Sequence, residues 1–233
     1  MLPIIHLGNP KSYSTSMQSV WYEKEKQDEL IYIGFRPSND FKLWYKSDVE
    51  SSLLNKAFRF STRKEFISKY DLYRDFIDSQ RSLANTLNKP LILSSENLSM
   101  KALTHELDVT EKLARISSLF DSQANLVVVF RNIQNAIFSM YKEFVNLGYG
   151  GGWQNFLEES YCFRDMNYLS SLFPSDVYSD IADTWDKQTS QIEFHFTKNE
   201  INQSINNNLL FGAVKNKNNR ILNPGWSIDI CEH

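Results

Sequence analysis

Apolar residues arrive along this chain in short strand-like runs, each closed by a polar break and followed by a stretch of helical period. Ile4-Ile5-His6-Leu7 is the first run. It ends at Gly8 and a polar loop, and a helix is expected from Ser14 to Lys26 with Met17, Val20 and Trp21 on one face. Leu30-Ile-Tyr-Ile33 predicts a second strand that stops at Gly34, where Phe35-Arg36-Pro37 opens an aromatic-rich connection. From Arg63 to Asn88 the apolar positions Phe66, Tyr70, Tyr73 and Ile77 step by four, three and four, which is helical spacing. Asn88-Lys-Pro90 ends it.

Leu91-Ile-Leu93 predicts a third strand, running into Ser94-Ser95-Glu96. A helix is expected from Asp108, with Glu111 completing a capping box and Val109, Leu113 and Ile116 as its apolar stripe. Leu126-Val-Val-Val-Phe130 is continuous and β-branched, the pattern of a parallel strand covered on both faces. It ends at Arg131, and a helix bearing Ile133, Ile137, Tyr141 and Phe144 follows. Gly148-Tyr-Gly-Gly-Gly152 holds four of the eight glycines and reads as a hinge or lid, with Tyr149 and Trp153 as apolar walls for a ligand. Gln154 to Phe163 and Asp176 to Lys187 are helix candidates, Ile192-Glu-Phe-His-Phe196 alternates like a strand, and the chain from Asn199 follows no pattern. Strands alternating with helices predict one α/β domain over residues 1–233, with three α/β/α layers around a central, mostly parallel sheet.

Composition narrows the chemistry. Hydrophobic residues are 42% and charged residues 23% of the 233, as in a globular protein able to bury a core. A net charge of −3 argues against a broad nucleic-acid surface. Cys162 and Cys231 are the only cysteines and form no CxxC, so reduced thiols in a cytoplasmic protein are expected, without a zinc site. Neither a signal peptide nor a run long and apolar enough for a membrane span is expected. His105-Glu106 lacks the second histidine of HExxH, and His6 and His195 lie in strand-like runs, where a structural role is expected.

The first loop carries the chemistry. Gly8-Asn-Pro-Lys-Ser-Tyr-Ser-Thr15 lies between a strand and a helix start, and the free N–H groups and positive end of a helix there attract an anion. Lys11, Ser12, Ser14, Thr15 and Ser16 would lie near it. A Walker A loop needs GxxxxGK[ST], whereas here the fifth residue after Gly8 is Tyr13 and Lys11 is inside the loop. The long strand ends in an arginine and not in an aspartate. An ATPase or GTPase is therefore disfavoured.

Pro10-Lys-Ser-Tyr-Ser-Thr15 resembles the 5′-phosphosulfate loop of sulfotransferases that use 3′-phosphoadenosine 5′-phosphosulfate (PAPS), a family with a P-loop NTPase-like fold. Its second motif places an arginine at a strand end and a serine eight residues on, and Arg131 and Ser139 have that spacing. The resemblance covers residues 3–26 and 91–146, and more loosely 176–196. Tyr13 replaces a frequent glycine, while Ile133 and Asn135 stand where proline and aspartate are common. The family's late basic loop is not recognisable, and Lys215, Lys217 and Arg220 are the local substitutes.

The resemblance implies PAPS as donor, bound by Lys11, Ser12, Tyr13, Ser14, Thr15, Ser16, Arg131 and Ser139, with Lys11 also stabilising the leaving phosphate. No metal is implied, because a sulfuryl group carries less charge than a phosphoryl dianion. Glu96 is the candidate general base. Arg36 stands where some members of the family carry a catalytic glutamate, and is a candidate for binding an acidic acceptor or the sulfuryl oxygens. The implied acceptor is a small molecule, carbohydrate or lipid. The alternatives are a protein that binds the nucleotide without turnover, or a P-loop kinase of metabolites.

Overall fold

A computed structural model describes residues 2–7, 14–36, 45–99, 105–121, 123–129, 133–162 and 192–195. Among these residues five strands form one sheet: β1 (Ile4–Leu7), β2 (Ile31–Gly34), β3 (Leu91–Ser95), β4 (Asn125–Val129) and β5 (Ile192–His195). Their order is β2-β3-β1-β4-β5, and every neighbouring pair is parallel. The central sheet expected from the alternation is thus present. All five strand expectations correspond to observed strands, β1 with the expected bounds and the other four shifted at an end by a residue or two.

The side-chain alternation of β1 sorts the layers. Ile5 and Leu7 point into the larger core with Ile33, Leu91, Leu93 and Leu126. That face is covered by α2 (Asp48–Ser52), the π-helical turn that continues it, α3 (Arg63–Ser68), α4 (Tyr70–Leu87) and α5 (Val109–Phe120). Ile4 points the other way and joins Tyr32, Ile92 and Val127 against Met17 and Trp21 of α1 (Ser14–Lys26). Helices on both faces of a parallel sheet make the three-layer α/β/α architecture. α6 (Ile133–Asn146) and α7 (Trp153–Cys162) form a hairpin with its own aromatic cluster.

Several local expectations are corrected. The stretch from Arg63 to Asn88 is two helices, broken at Lys69, whose φ of −117° and ψ of 7° leave the helical region. The capping box lies at α3, where the Thr62 hydroxyl accepts from Glu65 N and the Glu65 carboxylate accepts from Thr62 N. At α5 the side chain of Asp108 makes no capping bond, so the box expected there does not form. Over residues 148–152, expected to form a hinge or lid, the Tyr141 hydroxyl donates to the Gly151 carbonyl at 3.3 Å, and Tyr149 and Trp153 pack on Tyr141 and Phe156. The helix expected over 176–187 and the tail lie outside the described residues.

Candidate functional site at the carboxyl edge of the sheet

All five strands end at one edge, and the register shows what they deliver there. Leu7 of β1 lies opposite Ser95 of β3 on one side and Val128 of β4 on the other. The chain leaves β1 into residues 8–13, β3 into Glu96, and β4 into residues 130–132. Adjacent strands are about 4.8 Å apart, so the three segments start side by side. The chain also leaves β1 toward β2 and β4 toward β5, in opposite directions. A crevice opens at such a switch point, and open α/β sheets bind their ligands there.

Lys11, Ser12, Tyr13 and Arg131 lie outside the described residues. Ser14, Thr15 and Ser16 form the first turn of α1, the helix that follows the β1 loop. α1 is thirteen residues long without an acidic side chain in that turn, and the Gln18–Ser94 bond sets its positive, amino-terminal end at the carboxyl edge of the sheet. Ser139 is half-buried and sits six residues into α6, about 9 Å along the axis from Ile133. Glu96 opens a short 3-10 turn, Glu96–Leu98, directly after β3.

A buried polar layer anchors α1 to the sheet. His6 Nδ1 and the Ser94 hydroxyl are 2.9 Å apart, and Gln18 Nε2 donates to the same oxygen at 3.4 Å. The His6 ring meets Trp21 edge-on at 5.0 Å. His6 is fully buried, so the structural role expected for it holds. Burial pushes the Tyr32 phenol well above its ordinary range, so it stays protonated and donates to the Phe35 carbonyl at 3.1 Å. The Gln18 bond and the Trp21 ring contact tie the second turn of α1 to β3 and β1. The sequence signal for Gln18 was present: it shares a helix face with Met17 and Trp21.

Arg36 does not serve a ligand. It is 1% exposed, and its Nε and Nη2 donate to the two carboxylate oxygens of Glu25 at 2.8 and 3.1 Å. Nη1 donates to Glu50 at 2.8 Å and to the Gly34 carbonyl at 3.0 Å, and Nη2 also reaches the Tyr32 carbonyl at 2.6 Å. Burial opposes its charge, but the two carboxylates outweigh that and raise its pKa further. With its donor fork spent on α1, α2 and β2, the guanidinium cannot grip an acceptor or sulfuryl oxygens. It is a structural clasp.

His105 is exposed and stacks on Phe60 at 5.3 Å, and His195 lies in β5. Among the described residues, no cluster of three or more histidine, cysteine or acidic residues could hold a metal, and no helix is long and apolar enough to cross a membrane.

No protein-family model matches the chain, and no curated protein matches it in sequence. Its fold is similar to that in the crystal structure of a sulfotransferase from Alicyclobacillus acidocaldarius. The match has a TM-score of 0.51 at 13% identity and covers 91% of this chain and 81% of that one. At that identity the likeness speaks for a shared fold.

Proposed function

We propose that this chain is a sulfotransferase, moving a sulfuryl group from PAPS to a hydroxyl or amine of a small-molecule, carbohydrate or lipid acceptor. Residues 1–233 act as one domain in this reading. The observation that carries it is the position of β1 between β3 and β4, which starts the Lys11 loop, the Glu96 turn and the Arg131 segment side by side. A donor with phosphates at two separated ends needs two anion sites on neighbouring strands. A single phosphate loop would not meet that need.

In this reading Lys11, Ser12, Tyr13, Ser14, Thr15 and Ser16 hold the 5′ end of PAPS, helped by the amino-terminal N–H groups of α1. Arg131 grips the 3′-phosphate through a charge-assisted fork and Ser139 adds a hydroxyl. PAPS supplies the sulfuryl group. The acceptor oxygen bonds to sulfur as the bond from sulfur to the bridging 5′-phosphate oxygen breaks, and the acceptor proton passes to the Glu96 carboxylate. Lys11 meets the negative charge gathering on the leaving phosphate. The rest is alignment of attacking and leaving oxygens.

Thermal unfolding with 3′,5′-adenosine bisphosphate (PAP), set against ATP with magnesium, tests the reading. Stabilisation by PAP and not by ATP–magnesium supports it, while indifference to saturating PAP in folded protein would sink it. Transfer from PAPS that Lys11→Ala and Glu96→Gln both lower sharply, with measurable turnover left, then separates an enzyme from a nucleotide binder.

A further inference from the structure

α5 carries a lysine on its apolar stripe. Lys112 stands three residues after Val109 and beside Leu113, and its side chain is fully buried. Burying an ammonium costs several kcal/mol unless its partners are good, and a methionine or leucine would fill the same stripe without that cost. The partners show what the charge does. Lys112 Nζ donates to the Asn97 carbonyl at 2.7 Å and to Glu106 Oε1 at 2.7 Å. Arg59 Nε donates to that same Glu106 oxygen at 2.9 Å, and Leu107 N to the Arg59 carbonyl at 2.7 Å.

Asn97 is the middle residue of the turn that Glu96 opens. Its N–H donates to the Ser95 hydroxyl at 3.3 Å, and Leu98 is fully buried in the larger core. The turn is therefore held by its amide, by the next side chain and, through Lys112, by its carbonyl. Rotation of the Asn97 peptide would break the Lys112 bond and leave the fully buried ammonium short of a partner.

We propose that Lys112 is a positioning residue: Lys112, buried with Glu106 and joined through it to Arg59, fixes the Asn97 carbonyl and so sets where Glu96 leaves the carboxyl end of β3, beside the end of β1. The role assigned to Glu96 rests on the sulfuryl-transfer reading; the clamp on the turn does not. Lys112 touches no substrate. It acts through the backbone of its neighbour.

Lys112→Met keeps the length and packing of the stripe and removes the donor. Three measurements on the full chain decide the matter. Amide exchange in residues 96–99 is expected to quicken about tenfold or more while α4 is unchanged, as for a local opening. PAP affinity is expected to stay within about threefold, because Lys112 holds no phosphate. PAP release from PAPS with water as acceptor is expected to lose about tenfold or more in kcat with KM nearly unchanged, and to lose nothing further in a Glu96→Gln background.

Glu106→Gln weakens the same triad without altering its shape and should give the same pattern at smaller size, which covers the case in which Lys112→Met does not fold. Unchanged exchange in 96–99 overturns the clamp. A loss of kcat that is as large in the Glu96→Gln background as with Glu96 in place, or that falls on KM, overturns the positioning role. Wild-type protein that ignores PAP sinks the sulfuryl reading instead, and the exchange result still judges the clamp.

Discussion

Leu7 of β1 and Val128 of β4 lie opposite one another in register, so the Lys11 loop and the Arg131 segment begin one strand apart on the same edge. In the proposed sulfuryl-transfer reading the two motifs take the two anionic ends of one donor, which makes the two arms separable by ligand.

Lys11→Ala is expected to weaken both PAP and 5′-AMP, since both carry the 5′-phosphate. Arg131→Ala is expected to weaken PAP and leave 5′-AMP unchanged, because 5′-AMP lacks the 3′-phosphate. A lost hydrogen bond to a charged group is worth about 1.5–3 kcal/mol, or about 10- to 100-fold in affinity. Titration calorimetry with the two nucleotides reads the pattern, and equal losses for both ligands in Arg131→Ala would place that arginine elsewhere.

Arg36 and Glu50 form a buried pair at 2.8 Å, with exposures of 1% and 2%. Removing one partner strands the other's charge away from water. Arg36→Met is expected to cost about 3–5 kcal/mol in urea unfolding. Arg36→Lys should also destabilise, since one ammonium cannot span Glu25, Glu50 and two carbonyls. A variant that unfolded at wild-type urea but lost PAP binding would restore Arg36 to the site.

Gly34 ends β2 under Tyr32. A Cβ there would lie 2.5 Å from the Tyr32 hydroxyl and 2.8 Å from the Ser94 carbonyl, so β2 and β3 would have to separate locally. Gly34→Ala is expected to cost about 1–3 kcal/mol as overpacking, and Tyr32→Phe in the same chain should recover only part of it because the backbone clash remains. Chemical denaturation of the single and double variants measures this.

Burial lowers the Lys112 pKa to about 8 despite the Glu106 carboxylate, with Arg59 lowering it and Asp108 raising it to a smaller degree. Hydrogen bonds from Arg59 and Lys112 in turn hold Glu106 below its ordinary value, against the effect of burial. Below pH 8 the folded chain carries a buried ammonium. Between that pH and the lysine value of the unfolded chain, the unfolded state binds more protons, so stability contributed by Lys112 rises with pH. Relative to Lys112→Met, wild type should gain up to about 3 kcal/mol as pH rises from about 7 to about 10. Urea titrations of both proteins at those pH values check the slope, and a falling difference would refute it.

The alternation of strands and helices, the loop with Lys11 after β1 and the Arg131–Ser139 spacing after β4 could all be read from the residues in order. These are local properties: a β-branched run, a change of period or a helix start is written in neighbouring residues. Even so, capping was legible only as a pattern. Asp108 with Glu111 and Thr62 with Glu65 look alike, and their cap backbones are nearly the same, but only at Thr62 do the side chains close the box; the Glu111 carboxylate instead accepts from Arg115 Nε at 2.7 Å. Strand order needed the folded chain: it seats β1 between β3 and β4 and brings Ser94 to His6 across 88 positions. So did the consumption of Arg36 by Glu25 and Glu50, and the reach of Lys112 to the turn after Glu96. Charge and length say that a side chain can grip something. Which groups fold into its reach is set by packing between segments far apart in the chain.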